Sequence, residues 1–127
     1  MNEINNPKAW AKYADEDWNV ANLLYKQNKS MHTTTCFHAQ QCAEKYFKAL
    51  LLSKNTHFPK THDLLTLNSL CTQAGILTEF SPEALTILTD HAVASRYPGE
   101  EPSKTDAKES LKTAKAIRKF ARAFLGL

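Results

Sequence analysis

Apolar side chains recur every three or four positions in five successive segments of this 127-residue chain. That spacing lines one face of an α-helix, whereas a half-buried strand needs alternation with period two. The sequence contains no long alternating stretch and no Asn-Gly hairpin dipeptide. We therefore predict an all-α protein, an up-and-down bundle of four or five helices, forming a single domain over residues 1–127. The predicted helices span residues 7–26, 31–54, 61–75, 81–96 and 103–126.

Helix-end signals accompany this periodicity. Asn6 precedes a proline suited to the first helical position, and Ser103 with Asp106 forms a capping-box pattern. Gly75 and Gly126 follow helices as natural stop residues. The predicted apolar faces comprise Trp10, Tyr13, Ala14, Val20, Ala21, Leu24 and Tyr25 in the first helix, Cys36, Phe37, Ala39, Ala43, Phe47, Leu50 and Leu51 in the second, and Ile87 and Phe124 among others later in the chain.

Composition excludes several classes of protein. Only three glycines occur, and neither phosphate-binding glycine motif, GxGxxG or GxxxxGK[ST], is present. No apolar run approaches the roughly 18 residues of a membrane helix, and the N-terminus does not read as a secretory signal. Three cysteines without framework spacing indicate a reduced, cytoplasmic setting. Without HExxH or CxxC spacing, we predict no metal and no cofactor.

Some polar residues occupy positions where a simple bundle would place apolar ones. Asp17 falls within the apolar sector of the first helix, and Gln40 within that of the second. A buried carboxylate or amide needs partners, so these residues are predicted to form structural ion pairs or clamps between helices. We expect Asp17 to hold Lys48 or Arg96. The predicted polar core consists of Asp17, Gln40, Glu44 and Asp63.

A second polar set runs beside the apolar stripe of the second helix. Glu44 and Lys48 are spaced for an i,i+4 ion pair, and His62 is placed in the first turn of the third helix. An ordinary solvated face explains this set as well as a small anion site does. The anion-site reading predicts a polar pocket where the second and third helices meet the end of the fourth. Its ligand or phosphate contacts are His38, Gln41, Lys45, Lys48, His62, Arg96 and Tyr97.

Positive charge is concentrated in the last helix. The segment 104–122 carries a net charge of +5, whereas the remaining chain carries −2. The cations fall within one helical sector about 120° wide. A solvated face is one explanation, and an anionic partner, acidic or phosphate-bearing, is the other. This basic face comprises Lys104, Lys108, Lys112, Lys115, Arg118, Lys119 and Arg122.

Four blocks of the sequence resemble the HEPN domain family. One contains Trp10, Ala14, Asp17, Ala21 and Leu24 at family spacing. The most specific block is FHAQQCAEKYFKAL at 37–50, and PKTHDL at 59–64 and RYP at 96–98 complete the set. The resemblance extends over about residues 10–125. It implies a five-helix bundle that pairs as a homodimer and partners a small nucleotidyltransferase encoded alongside.

Many HEPN proteins are metal-independent ribonucleases, often toxins, with an Arg-x4–6-His motif. Here no histidine follows Arg96, Arg118 or Arg122, because the last histidine is His91. The sequence thus favours a dimeric module that binds nucleotide or RNA phosphate and acts with a nucleotidyltransferase in a toxin–antitoxin-like or defence system. One alternative is a ribonuclease using His38 or His62 with Arg96. Another is a non-catalytic subunit that docks an acidic protein.

Overall fold

Five α-helices make up the regular structure of this chain in the computed structural model, which describes residues 3–27, 31–94 and 98–127. No strand occurs within these ranges. The prediction of an all-α bundle is confirmed. A short 3-10 turn at Glu3–Asn5 precedes helices α1 (Pro7–Tyr25), α2 (His32–Ser53), α3 (Leu64–Gln73), α4 (Pro82–Ala94) and α5 (Lys104–Leu125).

The helix ends follow the signals in the sequence, with one exception. Asn6 accepts a hydrogen bond from the Lys8 amide, and Ser103 and Asp106 form both halves of the capping box. The prediction that α3 begins at Thr61 was wrong. Asp63 is instead the N-cap of α3, where its side chain accepts from the Leu65 amide, so His62 lies in the preceding loop rather than in a helical turn.

Helix α2 is the centre of the bundle, since it packs against each of the other four α-helices. Thirteen of its residues are buried, and among the largest are Tyr46, Phe47, Leu50 and Leu51, all at 0% exposure. Because four helices surround α2, it is buried on more than one face. Its buried residues therefore include polar side chains as well as apolar ones. Any functional group on α2 is therefore held by a rigid element.

Several residues predicted to be buried are exposed. Tyr13, Val20 and Phe37 are 45%, 36% and 40% exposed, and Ile87 and Phe124 are also exposed. On α1 the residues buried at the contact with α2 are mostly small, and this buried strip is narrower than the predicted apolar stripe. The α1 residues buried in this strip are Ala11, Ala14, Asp17 and Ala21. Tyr13 and Val20 flank Asp17 at helical spacing and form the rim of the contact with α2.

A second carboxylate on α1 joins three helices. The Asp15 side chain accepts a hydrogen bond from Tyr46 of α2, and it pairs with Arg118 Nε at 2.9 Å and Arg122 Nη1 at 2.8 Å, both on α5. Arg118 also lies over the Trp18 ring at 5.8 Å. The predicted seven-residue basic face is therefore divided. Its two arginines turn toward α1, and its lysines remain exposed.

Replacing Asp15 by alanine should lower the free energy of unfolding by about 2–3 kcal/mol, because two guanidinium groups and a phenol lose their shared acceptor. Urea unfolding of the purified variant measures this change. Glu16→Ala is the matched control, since Glu16 is an exposed acid on the same helix, and its effect should stay within about 0.5 kcal/mol. Equal losses in the two variants would contradict a clamp centred on Asp15.

Candidate functional site

Asp17 fixes two side chains of α2 at the α1–α2 contact. Its Oδ1 lies 2.9 Å from His38 Nδ1, and its Oδ2 lies 2.5 Å from Lys45 Nζ. Asp17 is 8% exposed, so its buried charge depends on the Lys45 ammonium and on the hydrogen bond to His38. The expected pairing with Lys48 was wrong, because Lys48 pairs with Glu44, and the alternative partner, Arg96, lies outside the described residues. His38 is held through Nδ1, so Nε2 is the nitrogen that a ligand could meet.

Glu44 organises a second polar cluster between α2 and the loop before α3. Its Oε2 accepts from Lys48 Nζ at 2.9 Å, and its Oε1 lies 2.8 Å from His62 Nδ1. Gln40 Nε2 reaches Glu44 Oε1 at 3.2 Å and donates to the His62 carbonyl at 2.8 Å. Gln41 in turn donates to Gln40 Oε1 at 2.8 Å. Gln40 thus acts as the predicted clamp, tying α2 to the entry of α3.

The ionisation of Glu44 follows from these contacts. Burial is the largest single influence and would raise the pKa of the carboxyl group. Hydrogen bonds from Lys48, His62 and Gln40, together with the Lys48 charge, outweigh it and lower the pKa below its ordinary value. Glu44 therefore stays charged inside the bundle, and this charge holds the cluster together.

Lys48 is enclosed rather than presented to solvent. It is 7% exposed, and its Nζ lies 5.7 Å from the Trp10 ring centroid and 5.4 Å from that of Phe58. The two rings meet edge to face at 5.8 Å and close over the ammonium group. Because Glu44 neutralises its charge, Lys48 has a structural role in the bundle. This placement argues against the ligand contact that the sequence analysis assigned to it.

The remaining predicted contacts border one side of α2. His38 and Lys45 have side chains 26% and 27% exposed, Gln41 is half-buried between the two carboxylate clusters, and the side chain of His62 is 80% exposed. A cavity of about 400 Å³ opens beside Gln41. Its lining consists of Phe37, Gln40, Gln41, His62, Thr89, Ala92 and Val93. We call this cavity, together with His38 and Lys45 on the same side of α2, the polar cleft. Lys45 itself lines a separate cavity with Ile4, Ala9, Trp10 and Tyr13.

The structure places the other predicted site residues differently. Asp63 caps α3 and receives a hydrogen bond from Thr66, so it is a half-buried capping residue rather than a member of the polar core. Tyr97, like Arg96, lies outside the described residues. Thr89 and Val93 of α4 line the cleft. They were not predicted, because an uncharged side chain on a helix face does not by itself indicate a binding site.

The three cysteine thiols are enclosed in the core of the bundle. Cys36, Cys42 and Cys71 are free and buried at 0% exposure, and burial raises the pKa of all three, that of Cys71 to about 12.

Within residues 3–27, 31–94 and 98–127, no group of three His, Cys, Asp or Glu side chains is arranged to hold a metal ion. None of the helices in those ranges combines the length and the hydropathy that bilayer crossing requires.

Comparisons with known proteins identify a family, a relative and a similar structure. The family model described as "HEPN domain" matches residues 7–124. A Methanocaldococcus jannaschii protein named "Putative toxin MJ1304" is 29% identical over 134 residues, covering 93% of this chain and 87% of the relative. The crystal structure of TT1696 from Thermus thermophilus is similar with a TM-score of 0.74 at 24% identity, covering 94% of this chain and 98% of that one. This last similarity bears on the fold alone.

Lowering the pH should reduce the free energy of unfolding, because Glu44 becomes protonated. Its folded pKa lies below the ordinary value of 4.5, so the ionised carboxylate contributes its full stability above about pH 4.5 and loses it as pH falls through the folded pKa. Glu44→Gln should remove this dependence and lower the free energy of unfolding near pH 7 by about 3 kcal/mol, since the Lys48 charge stays buried without its partner.

Urea midpoints measured from about pH 7 down to about pH 3 test this expectation. The control is Glu79→Gln, an exposed carboxylate outside both clusters. It should retain the acid dependence of the native protein. An unchanged pH profile in Glu44→Gln would show that the Glu44 cluster does not govern acid stability.

Proposed function

The chain belongs to the HEPN domain family, and on that premise we propose that it is the HEPN subunit of a toxin–antitoxin-like pair. In this proposal a homodimer binds nucleotide or RNA phosphate in the polar cleft and acts with a small nucleotidyltransferase. The name of the M. jannaschii relative supports the toxin-like part. The observation that carries the ligand-binding part is that Gln41 and His62 line one cavity beside α2, with His38 and Lys45 on the same side of that helix.

The cleft has the donors that a phosphate group requires. Each buried carboxylate is already matched by a lysine: Asp17 by Lys45, and Glu44 by Lys48. The histidines are held at Nδ1 by the same carboxylates, so their rings are oriented before a ligand arrives. The Gln41 amide lies between them. A phosphate-bearing ligand would receive a hydrogen bond from the Lys45 ammonium, which has donors beyond its bond to Asp17, and from each histidine whose Nε2 carries a proton.

Exposed apolar residues support the homodimer. Tyr13 and Val20 flank Asp17 on α1, and Phe37 and Val93 line the cavity. All four are at least 36% exposed. Exposed apolar side chains of this size mark a surface that another protein covers, and a second copy of the chain would shield them from water.

Isothermal titration calorimetry with ATP, GTP and a short RNA tests ligand binding. At least one of these ligands should bind the native protein, and the double variant Gln41→Ala, His62→Ala should weaken that binding at least about tenfold, the loss expected from removing two hydrogen bonds. His57→Ala is the control, since His57 is an exposed histidine outside the cleft. Absence of heat with all three ligands, or equal affinity in the double variant, would refute the ligand-binding part.

The partner and the oligomer need separate measurements. Light scattering should give twice the chain mass of 14.3 kDa, and Phe37→Glu should shift it toward the monomer. Co-expression with a small nucleotidyltransferase encoded beside this gene should yield a complex that co-purifies. A monomeric native protein would contradict the dimer, and a neighbouring nucleotidyltransferase that fails to co-purify would contradict the partnership.

The His38–Asp17 pair favours a ribonuclease as the second candidate. A carboxylate that orients an imidazole through Nδ1 leaves Nε2 able to take the proton of a ribose 2′-hydroxyl. The freed oxygen would attack the adjacent phosphorus, and the bond to the 5′-oxygen would break. That oxygen would take a proton from water, and the hydroxide formed would be neutralised by the proton that His38 has taken up. Incubating the protein with RNA in EDTA tests this candidate. Cleavage lost in His38→Ala but kept in His57→Ala would support it, and absence of cleavage at high protein concentration would dismiss it.

A further inference from the structure

We infer that α5 carries a second anion-binding surface, which holds the phosphate backbone of a single-stranded nucleic acid. It consists of five exposed lysines, which we call the lysine track: Lys104, Lys108, Lys112, Lys115 and Lys119. Their spacings of four, four, three and four residues place them within a sector roughly 80° wide and along roughly 22 Å of helix. This surface is separate from the polar cleft of the proposed function.

The track lies on the far side of the bundle from the cleft. Helix α5 contacts α2 through Ser110 on Cys36 and through Arg122 on Tyr46. At 100° per residue, Cys36 and Tyr46 each lie roughly 140° around α2 from Gln41, which borders the cleft. A ligand on the track therefore cannot share contacts with a ligand in the cleft, and the two surfaces can be tested independently.

The charge of the track is not neutralised within the described part of the protein. No ion pair there includes a track lysine, whereas Arg118 and Arg122 on one flank are held by Asp15. On the other flank, Asp106 caps α5, and Glu109 borders a groove against α4. Three pairs of track lysines are also spaced i,i+4, an arrangement that destabilises a helix through repulsion between like charges. An anionic partner would relieve this repulsion.

The chemistry of the track favours a polynucleotide over an acidic protein or a membrane. Leu111 lies about 20° outside this sector and is buried, so the track presents no large apolar side chain. Protein interfaces need a desolvated apolar centre, and surface-bound helices insert an apolar face that α5 has already buried in the core. A line of evenly spaced ammonium groups matches a chain of evenly spaced phosphates. Without an aromatic side chain in the track, bases are not stacked, and binding should be independent of sequence.

Fluorescence anisotropy with a labelled oligouridine of about 20 nucleotides tests the inference. Five phosphate contacts predict a slope of about −3.5 in log K against log salt, or about 100-fold weaker binding at 200 mM than at 50 mM salt. Lys108→Gln with Lys112→Gln should reduce the slope to about −2. The control Lys26→Gln with Lys60→Gln makes the same charge change at exposed positions outside the track and should leave the slope unchanged.

The cleft variant Gln41→Ala, His62→Ala should keep the full salt slope, so failure of the proposed function would not be mistaken for failure of the track. An oligodeoxythymidine of equal length should bind as well as the RNA, because lysine reads charge rather than the 2′-hydroxyl. A slope unaffected by the track substitutions would overturn the inference. So would track-dependent binding to polyglutamate or to anionic vesicles with none to the oligonucleotides.

Discussion

The buried charge of Glu44 determines the arrangement of much of this bundle. A carboxylate at 4% exposure is stable only when cations and donors surround it, and the fold supplies them from two parts of the chain. Lys48 comes from the next turn of α2, and His62 from the loop before α3. Meeting this one requirement places the Lys48 ammonium against Trp10 and Phe58, and so connects α1, α2 and that loop.

The same requirement fixes the polar side chains that border the cleft. Asp17 and Glu44 each hold a lysine and a histidine, so the polar side chains of α2 are fixed by the fold. Replacing these ions with apolar residues of similar volume would often stabilise a bundle. Their retention is consistent with a site whose groups must be oriented in advance, as the proposed function requires.

Periodicity and capping chemistry were enough to predict the helices, because both are local properties of the chain. The misplaced polar residues Asp17, Gln40 and Glu44 could also be found, since a helical wheel shows which side a residue occupies. The partners of these residues could not be predicted, because a helical wheel does not show which neighbouring helix contacts that side or at which position along the axis. Asp17 therefore binds Lys45 instead of Lys48, one turn away.

The same limit divided the basic face. Sequence placed Arg118 and Arg122 with the lysines, but Asp15 of α1 lies within reach of a guanidinium on that edge of α5. The sequence pattern also predicted burial for Tyr13 and Phe37, and this was wrong. An apolar side chain is buried only when another element covers it. In the single chain nothing covers them fully, and both lie beside the polar residues of α2.

The three cysteines have a consequence for how the protein can be studied. Each thiol is enclosed by the core and resists ionisation, so alkylating reagents and oxidants meet no reactive sulfur while the bundle is closed. Cys36 lies under α5, Cys42 faces the α1 side, and Cys71 belongs to α3. The chain thus contains three native reporters of local opening, and the order in which they become labelled would show which helix detaches first.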